Sequence, residues 1–281
     1  MRLKTVVHLI LQISDRFNDH DVWALSSHIA MSLLTALFPF LIAVTSLASF
    51  MGAGSLSEDA VRLILDTWPQ EVAVPIAREV ERVLTVKRTD VLTVSFLLSL
   101  YFASSAVGSL RMGLNRAYGM RENRNWLWIK ISSILAVVLG AITMLCFAFL
   151  LVLGPLIWRT LLIWIPQLQA FGGTVALMRI SIPTALFIVA LFFVHIFVPA
   201  ERRSLKSVCP GILITVVLWV MSGLGFGWYL SNYSGNYVST YGSLATAMMT
   251  LVFLYLFSTV FLLGGEINGA WRDWRRQEKR L

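Results

Sequence analysis

TYGSLATAMMTLVFLYLFSTVFLLGGEIN, residues 240–268, decides how this chain is read. It runs for about 25 residues without a charge and then presents a carboxylate, Glu266, with Asn268 two residues on. An α-helix rises about 1.5 Å per residue, so roughly 20 apolar residues cross the ~30 Å hydrocarbon core of a bilayer. Apolar and polar residues do not alternate along the run, which argues against a barrel strand. An open sheet in lipid leaves backbone groups unpaired, at several kcal/mol each. The stretch reads as a transmembrane helix.

Five other stretches read the same way. With the last, the spans are 28–50, 90–110, 131–158, 177–199, 208–229 and 242–266. Of 281 residues, 57% are hydrophobic and 14% charged, against roughly 25% charged in soluble domains. The expected fold is one all-α integral membrane domain of six transmembrane helices, covering 1–281.

The net charge of +8 invites a nucleic-acid reading, but its distribution argues for a membrane. Sorted by the segments between spans, sixteen Lys and Arg fall in 1–27, 111–130, 202–206 and the tail 267–281. Seven fall on the opposite side, and five of those sit in the 51–89 loop beside six acids. The positive-inside rule then puts both termini in the cytoplasm. The basic excess faces the anionic headgroups of that leaflet. No soluble domain is long enough to bind nucleic acid. The two cysteines, Cys146 and Cys209, lie at different depths and read as unpaired packers.

Residues 1–27 read as a cytoplasmic interfacial segment. Leu3, Val6, Val7, Ile10 and Phe17 share one helical face, with Arg2, Lys4 and Arg16 elsewhere. Asp21 fits as an N-cap for the first span. Pro39 should kink that span. The outer loop 51–89 is expected to hold two short amphipathic helices, the first opened by the capping-box spacing of Ser55 and Glu58. The third span is long enough to require tilt or protrusion and ends near Gly154-Pro155. Ser105, Ser109 and Gly113 recur every four residues, a face that lets helix backbones approach. Gly223 and Gly227 repeat the device in the fifth span. Residues 229–244, rich in Tyr, Asn, Ser and Gly, read as a compact outer loop.

The chemistry-bearing motifs are few. No H-E-x-x-H, paired C-x-x-C, phosphate loop or G-x-S-x-G elbow is present. Neither a metal, a cofactor nor a catalytic residue is expected, and the chain is not expected to be an enzyme. DRFNDHD, 15–21, reads as a solvated juxtamembrane turn. His28 and His195 fall near one level; each alone reads as an interfacial histidine bonded to backbone or water, and if both face the bundle interior they would titrate near neutral pH. In SLRMGLNRAYG, 109–119, Arg111 and Asn115 share a helical face. Both this motif and Glu266 belong to spans that end on the cytoplasmic side. An ion pair of Glu266 with Arg111 or Arg116 is one reading, and a hydrated carboxylate at a helix end is the other.

Four segments carry a resemblance: ALFPF (36–40), SLRMGLNRAYG (109–119), VPAERRSLKSVCPG (198–211) and the opening run, with its YGS start and G-x-E-I-N end. In this order they resemble the YihY/virulence factor BrkB family, which once carried a ribonuclease BN label. Met31-Ser32 and Phe253 depart from the aromatics the family pattern places there. The resemblance implies a six-helix bacterial inner-membrane protein with both termini inside. It also implies links to the cell envelope, including serum resistance and transport of lipopolysaccharide precursors. The ribonuclease label gains nothing from these residues, because such nucleases need a histidine-aspartate metal cluster.

The resulting expectation is transport or flipping of an anionic lipid, glycolipid or related envelope precursor. Arg111, Asn115, Arg116, Glu266, Asn268, His28 and His195 are the pathway candidates. The alternative is a non-transporting scaffold or regulator of envelope assembly. Expected partners are membrane lipids with anionic headgroups at the cytoplasmic face, with a homo-oligomer or an envelope protein as further partners and no nucleic acid.

Overall fold

The computed structural model describes residues 3–50, 92–148, 158, 161–241 and 244–278. The expected amphipathic pair of 51–89 and the Gly154-Pro155 stop lie outside these residues. The described residues are helical throughout their regular parts. They form α1 (Leu3–Asp19), α2 (Val22–Phe50), α3 (Leu92–Ala117), α4 (Trp126–Ala148), a 3₁₀ turn (Pro166–Phe171), α5 (Gly172–Phe197), α6 (Leu205–Tyr241) and α7 (Leu244–Glu278).

Five of these helices are long and apolar enough to cross a membrane: α2, α3, α4, α6 and α7. The apolar part of α5, Ser181–Phe197, is shorter. The helices exceed the expected spans because helix formation does not stop where apolarity does. The α2 helix starts at Val22, six residues before 28, and runs through Pro39. The α4 helix starts at Trp126. The α6 helix has 37 residues, about 55 Å by rise per residue. It absorbs 229–241, expected as a compact loop. No proline or charge interrupts that polar segment, so the helix continues. The α7 helix has 35 residues and continues to Glu278. Glu266 therefore lies three turns inside a helix, not at its end.

The α1 helix joins α2 through a sharp turn at Asp21, whose φ is 54°, a left-handed conformation that Asp tolerates better than most residues. Its carbonyl accepts from the Leu25 N–H at 3.0 Å. Its side chain does not cap α2 as expected, because Arg116 takes it at 3.0 Å.

Packing concentrates on α2, α3, α6 and α7. One apolar core joins Phe17, Ile29, Leu114, Val208, Ile212, Phe261 and Leu262. Close helix approach is set by glycines. A side chain on Gly211 would strike the carbonyl of Gly264 and the Asn268 amide, and one on Gly264 would strike the Thr215 hydroxyl. One on Gly113 would meet Leu262 at 2.5 Å, so the Ser105–Ser109–Gly113 face is a contact face as expected. Gly223 and Gly227 have nothing within 4 Å of an added Cβ. They are not a packing device among the described residues. Their neighbours Val220, Met221 and Leu224 are exposed, which places this part of α6 at the surface of the described bundle.

Candidate functional site

The end of α7 that holds Glu266 gathers the end of α3, the loop from Tyr118 to Asn125, the segment 198–204, the start of α6 and the docked α1. Glu266 is 1% exposed. Its carboxylate faces a guanidinium and an imidazole of the α1–α2 region. Arg16 Nε donates to Oε2 at 3.3 Å, and His20 Nδ1 lies 2.7 Å from Oε1. Arg16 also donates to Asp273 Oδ2 at 2.7 Å and to the carbonyl of Ala117 at 2.6 Å. One guanidinium thus ties α1 to α3 and to two turns of α7. Phe17, buried beside it, packs edge-on against Trp23.

These partners replace the expected ones. Neither Arg111 nor Arg116 pairs with Glu266. Arg111 is buried and donates to the carbonyls of Val198 (3.1 Å) and Ile129 (3.0 Å) and to Ser132 Oγ (2.8 Å). It joins α3 to α4 and to the end of α5 through neutral acceptors. Arg116 points outward, donating to the His20 carbonyl at 2.8 Å and to Asp21. The two arginines are five residues apart, about 500° around a helix, and so face different neighbours. DRFNDHD is solvated only in part: Asp15, Asn18, Asp19 and Asp21 are exposed as expected, while Arg16 and His20 join the cluster.

Asn115 and Asn268 are both buried. Asn115 Oδ1 accepts from the Ala200 N–H at 2.7 Å, and its amide donates to Glu122 Oε2 at 3.2 Å. Asn268 Oδ1 accepts from the Gly211 N–H at 2.7 Å. Gly211 is the seventh residue of α6 and follows Pro210, which carries no N–H of its own. Asn268 Nδ2 reaches the Tyr118 hydroxyl at 3.4 Å. Each asparagine therefore fastens the start or end of a neighbouring helix.

His28 and His195 do not meet. His28 is exposed, and its Nδ1 lies 2.6 Å from Ser109 Oγ, tying α2 to α3. His195 is fully buried against Phe261, with ring centroids 4.6 Å apart. Its Nδ1 lies 3.2 Å from the Leu191 carbonyl, and its Nε2 has no partner. Among the described residues no cluster of His, Cys, Asp and Glu has the makings of a metal site.

Beyond the spans, burial raises the Tyr118 hydroxyl well above the usual tyrosine value. The Glu122 carboxyl sits below the ordinary carboxylate range because Arg124 donates to both its oxygens, at 2.7 and 2.8 Å. Arg203 is lowered by burial and then by Arg272 beside it.

The residues missed by motif reading are Arg16, His20, Tyr118, Arg203, Arg272 and Asp273. A signal for the first two exists in the charge count, which puts 1–27 and the α7 end on one side. Pairing Glu266 with a cation of the N-terminal segment follows from that level, not from any motif.

Comparison with known proteins agrees with the geometry. The family model described as "Virulence factor BrkB" matches residues 13–281. The "Putative ribonuclease-like protein YfkH" of Bacillus subtilis is 25% identical over 258 residues, covering 92% of each chain. A "UPF0761 membrane protein" of Alkalilimnicola ehrlichii is 24% identical over 275 residues, covering 95% of this chain and 59% of its own. One of Tolumonas auensis is 24% identical over 257 residues, covering 89% and 81%. The chain thus spans about three fifths of the Alkalilimnicola relative and more of the other two. No solved structure matches. The match takes in α2 to α7 and, from residue 13 on, the Arg16 and His20 that hold Glu266, so this multi-pass protein of the bacterial inner membrane belongs to the virulence factor BrkB family.

Proposed function

We propose that the chain moves or flips an anionic lipid or related envelope precursor across the inner membrane, with the Glu266 cluster as the closed gate at the cytoplasmic end of the path. The observation that carries this reading is a carboxylate buried within a membrane span and held by Arg16 of α1 and by His20 just after it. Ionisable groups at such depth are expensive and mark substrate or ion routes more often than packing. The α1 strap is fastened to α7 by Arg16 and by His20, which follows α1. Arginine suits phosphate headgroups through its planar fork of donors.

A second reading, a scaffold or regulator of envelope assembly, is favoured by one observation. Arg111, Asn115 and Asn268 spend their polar groups on neighbouring backbone. The test follows labelled phosphatidylglycerol across liposomes holding wild type, Glu266→Gln or Arg16→Ala. Protein-dependent movement that both substitutions change supports the gate. Movement indifferent to them sinks it. No movement of any anionic lipid, with folded protein, favours the scaffold.

A further inference from the structure

Behind the Glu266 cluster lies a group of arginines that the gate does not use. The Tyr118 carbonyl accepts from Arg272 Nη1 at 2.9 Å and from Arg203 Nη2 at 3.2 Å. Two full cations thus converge on one neutral oxygen. The acids nearby do not balance them. Asp273 is shared between Arg272 and Arg16. Glu201, the other acid facing Arg203, is exposed and makes no ion pair with it. Arg276 adds a third positive charge facing Arg203. Among the described residues Arg203 Nε is buried with no acceptor, an arrangement that leaves a charged donor short of its hydrogen bond.

The surroundings fix the cations in place. Arg203 lies over the Tyr118 ring, 5.0 Å from its centroid. Gly119, with φ of 61°, turns the chain after α3, and an added Cβ there would lie 3.9 Å from Arg272 Nη2. A mobile surface arginine satisfies itself with water. Here the Nε is sealed from water, the carbonyl between the forks is already doubly used, and the part of the Arg203 guanidinium that a ligand reaches is its outer, half-buried edge.

We propose that Arg203 and Arg272, with Arg276 at the rim, form a binding site for a phosphate group. A phosphate brings the charge and the several acceptor oxygens that this corner lacks, and guanidinium forks match its geometry. The site lies at the end of the α7 span, where lipid headgroups and free phosphate are both within reach. It does not depend on the transport reading. Binding is measured in detergent, without a second compartment, so binding without movement and movement without binding separate the two.

The experiment titrates the full chain, in maltoside detergent, with phosphatidic acid, phosphatidylglycerol, phosphatidylcholine and inorganic phosphate, counting bound molecules by native mass spectrometry. The anionic lipids should bind at least tenfold tighter than phosphatidylcholine. Arg203→Gln should weaken them about tenfold and Arg203→Lys less. Arg202→Gln, at an exposed neighbour that lies over Phe197, should change binding less than twofold. Displacement of the lipid by millimolar inorganic phosphate assigns the site to free phosphate, and its failure assigns the site to a headgroup. Equal effects of Arg202→Gln and Arg203→Gln, or none from either, overturn the proposal. Thermal melting of each variant checks that the fold is intact, and Arg203→Lys supplies the readout should Arg203→Gln fail to fold.

Discussion

Removing Arg16 should destabilise the protein more than neutralising Glu266, although both belong to one ion pair. Arg16→Ala strips donors from Glu266, Asp273 and the Ala117 carbonyl at once. Glu266 is then a buried charge with His20 as its one partner. Removing one member of a buried pair costs about 3–5 kcal/mol. The Arg16 and Asp273 side chains are 18% and 29% exposed, so solvent screens part of that, leaving ~2–4 kcal/mol. Glu266→Gln keeps the shape and an acceptor oxygen, while Arg16 retains Asp273 and Ala117. Its cost is the difference between charge-assisted and neutral hydrogen bonds, about 1–2 kcal/mol. The two losses overlap, because most of the Arg16→Ala penalty is the stranded carboxylate that Glu266→Gln abolishes. The double variant should fall short of the sum by ~1 kcal/mol or more. Equilibrium unfolding in mixed micelles with added SDS, followed by circular dichroism, measures all four corners of the cycle. Additivity within about 0.5 kcal/mol, or a larger cost for Glu266→Gln than for Arg16→Ala, would refute the reasoning.

Two other outcomes follow from the same contacts. Gly211→Ala or Gly264→Ala forces α6 and α7 apart and should cost ~1–3 kcal/mol by overpacking, whereas Gly223→Ala and Gly227→Ala, with open space around them, should be neutral or slightly stabilising. Melting in detergent separates the two sets. The Glu122 carboxyl is held below its unfolded value of 4.5 by Arg124, so its contribution is present above that value and is lost as pH falls through the lower folded one. The pair is a quarter exposed on each side and contributes under about 1 kcal/mol. The protection of the 118–125 amides against hydrogen exchange, taken relative to the intrinsic rate at each pH, should therefore fall below pH 4.5, and Glu122→Gln should remove that dependence. A loop whose exchange keeps the same acid dependence in Glu122→Gln would exclude this pair as its source.

Five of the six expected spans were legible because lipid imposes a long, continuous apolar signal, and the apolar part of α5 falls short of it. Where the signal ends, the reading ends too. GAWRDWRRQE, after Asn268, is polar and looks like a tail, yet it continues α7 because nothing in it breaks a helix. Misplacing that end made Glu266 a boundary residue. Its partners were harder still, lying 250 and 246 positions away in the chain. Arg111 was correctly picked as a bonding residue and wrongly partnered. Spacing tells which residues share a face of one helix, not which neighbour that face meets. The Ser109–Gly113 face was found because close approach needs small residues, while Gly223 and Gly227 satisfy the same spacing and touch nothing. Composition gives permission for a contact, and only the packing supplies it.

The glycines around Glu266 and the polar cluster are one construction. In GGEINGA, 264–270, small residues flank the polar Glu266 and Asn268 on both sides for a geometric reason. Gly264 lets the start of α6 come close enough for Asn268 to accept from the Gly211 N–H. Gly265 leaves room for Leu114 at 2.9 Å. A Cβ on Gly269 would strike the Ala117 carbonyl and lie 2.7 Å from Arg16 Nη2, in the space through which Arg16 reaches α3 and α7. A larger residue at 269 would block the strap even with Glu266 and Arg16 both present. The carboxylate alone therefore does not define the site. It can be buried and paired because three glycines remove the side chains that would keep α1, α3 and α6 away from it. A change at Gly269 should release α1 as surely as a change at Arg16, and would do so without touching a charge.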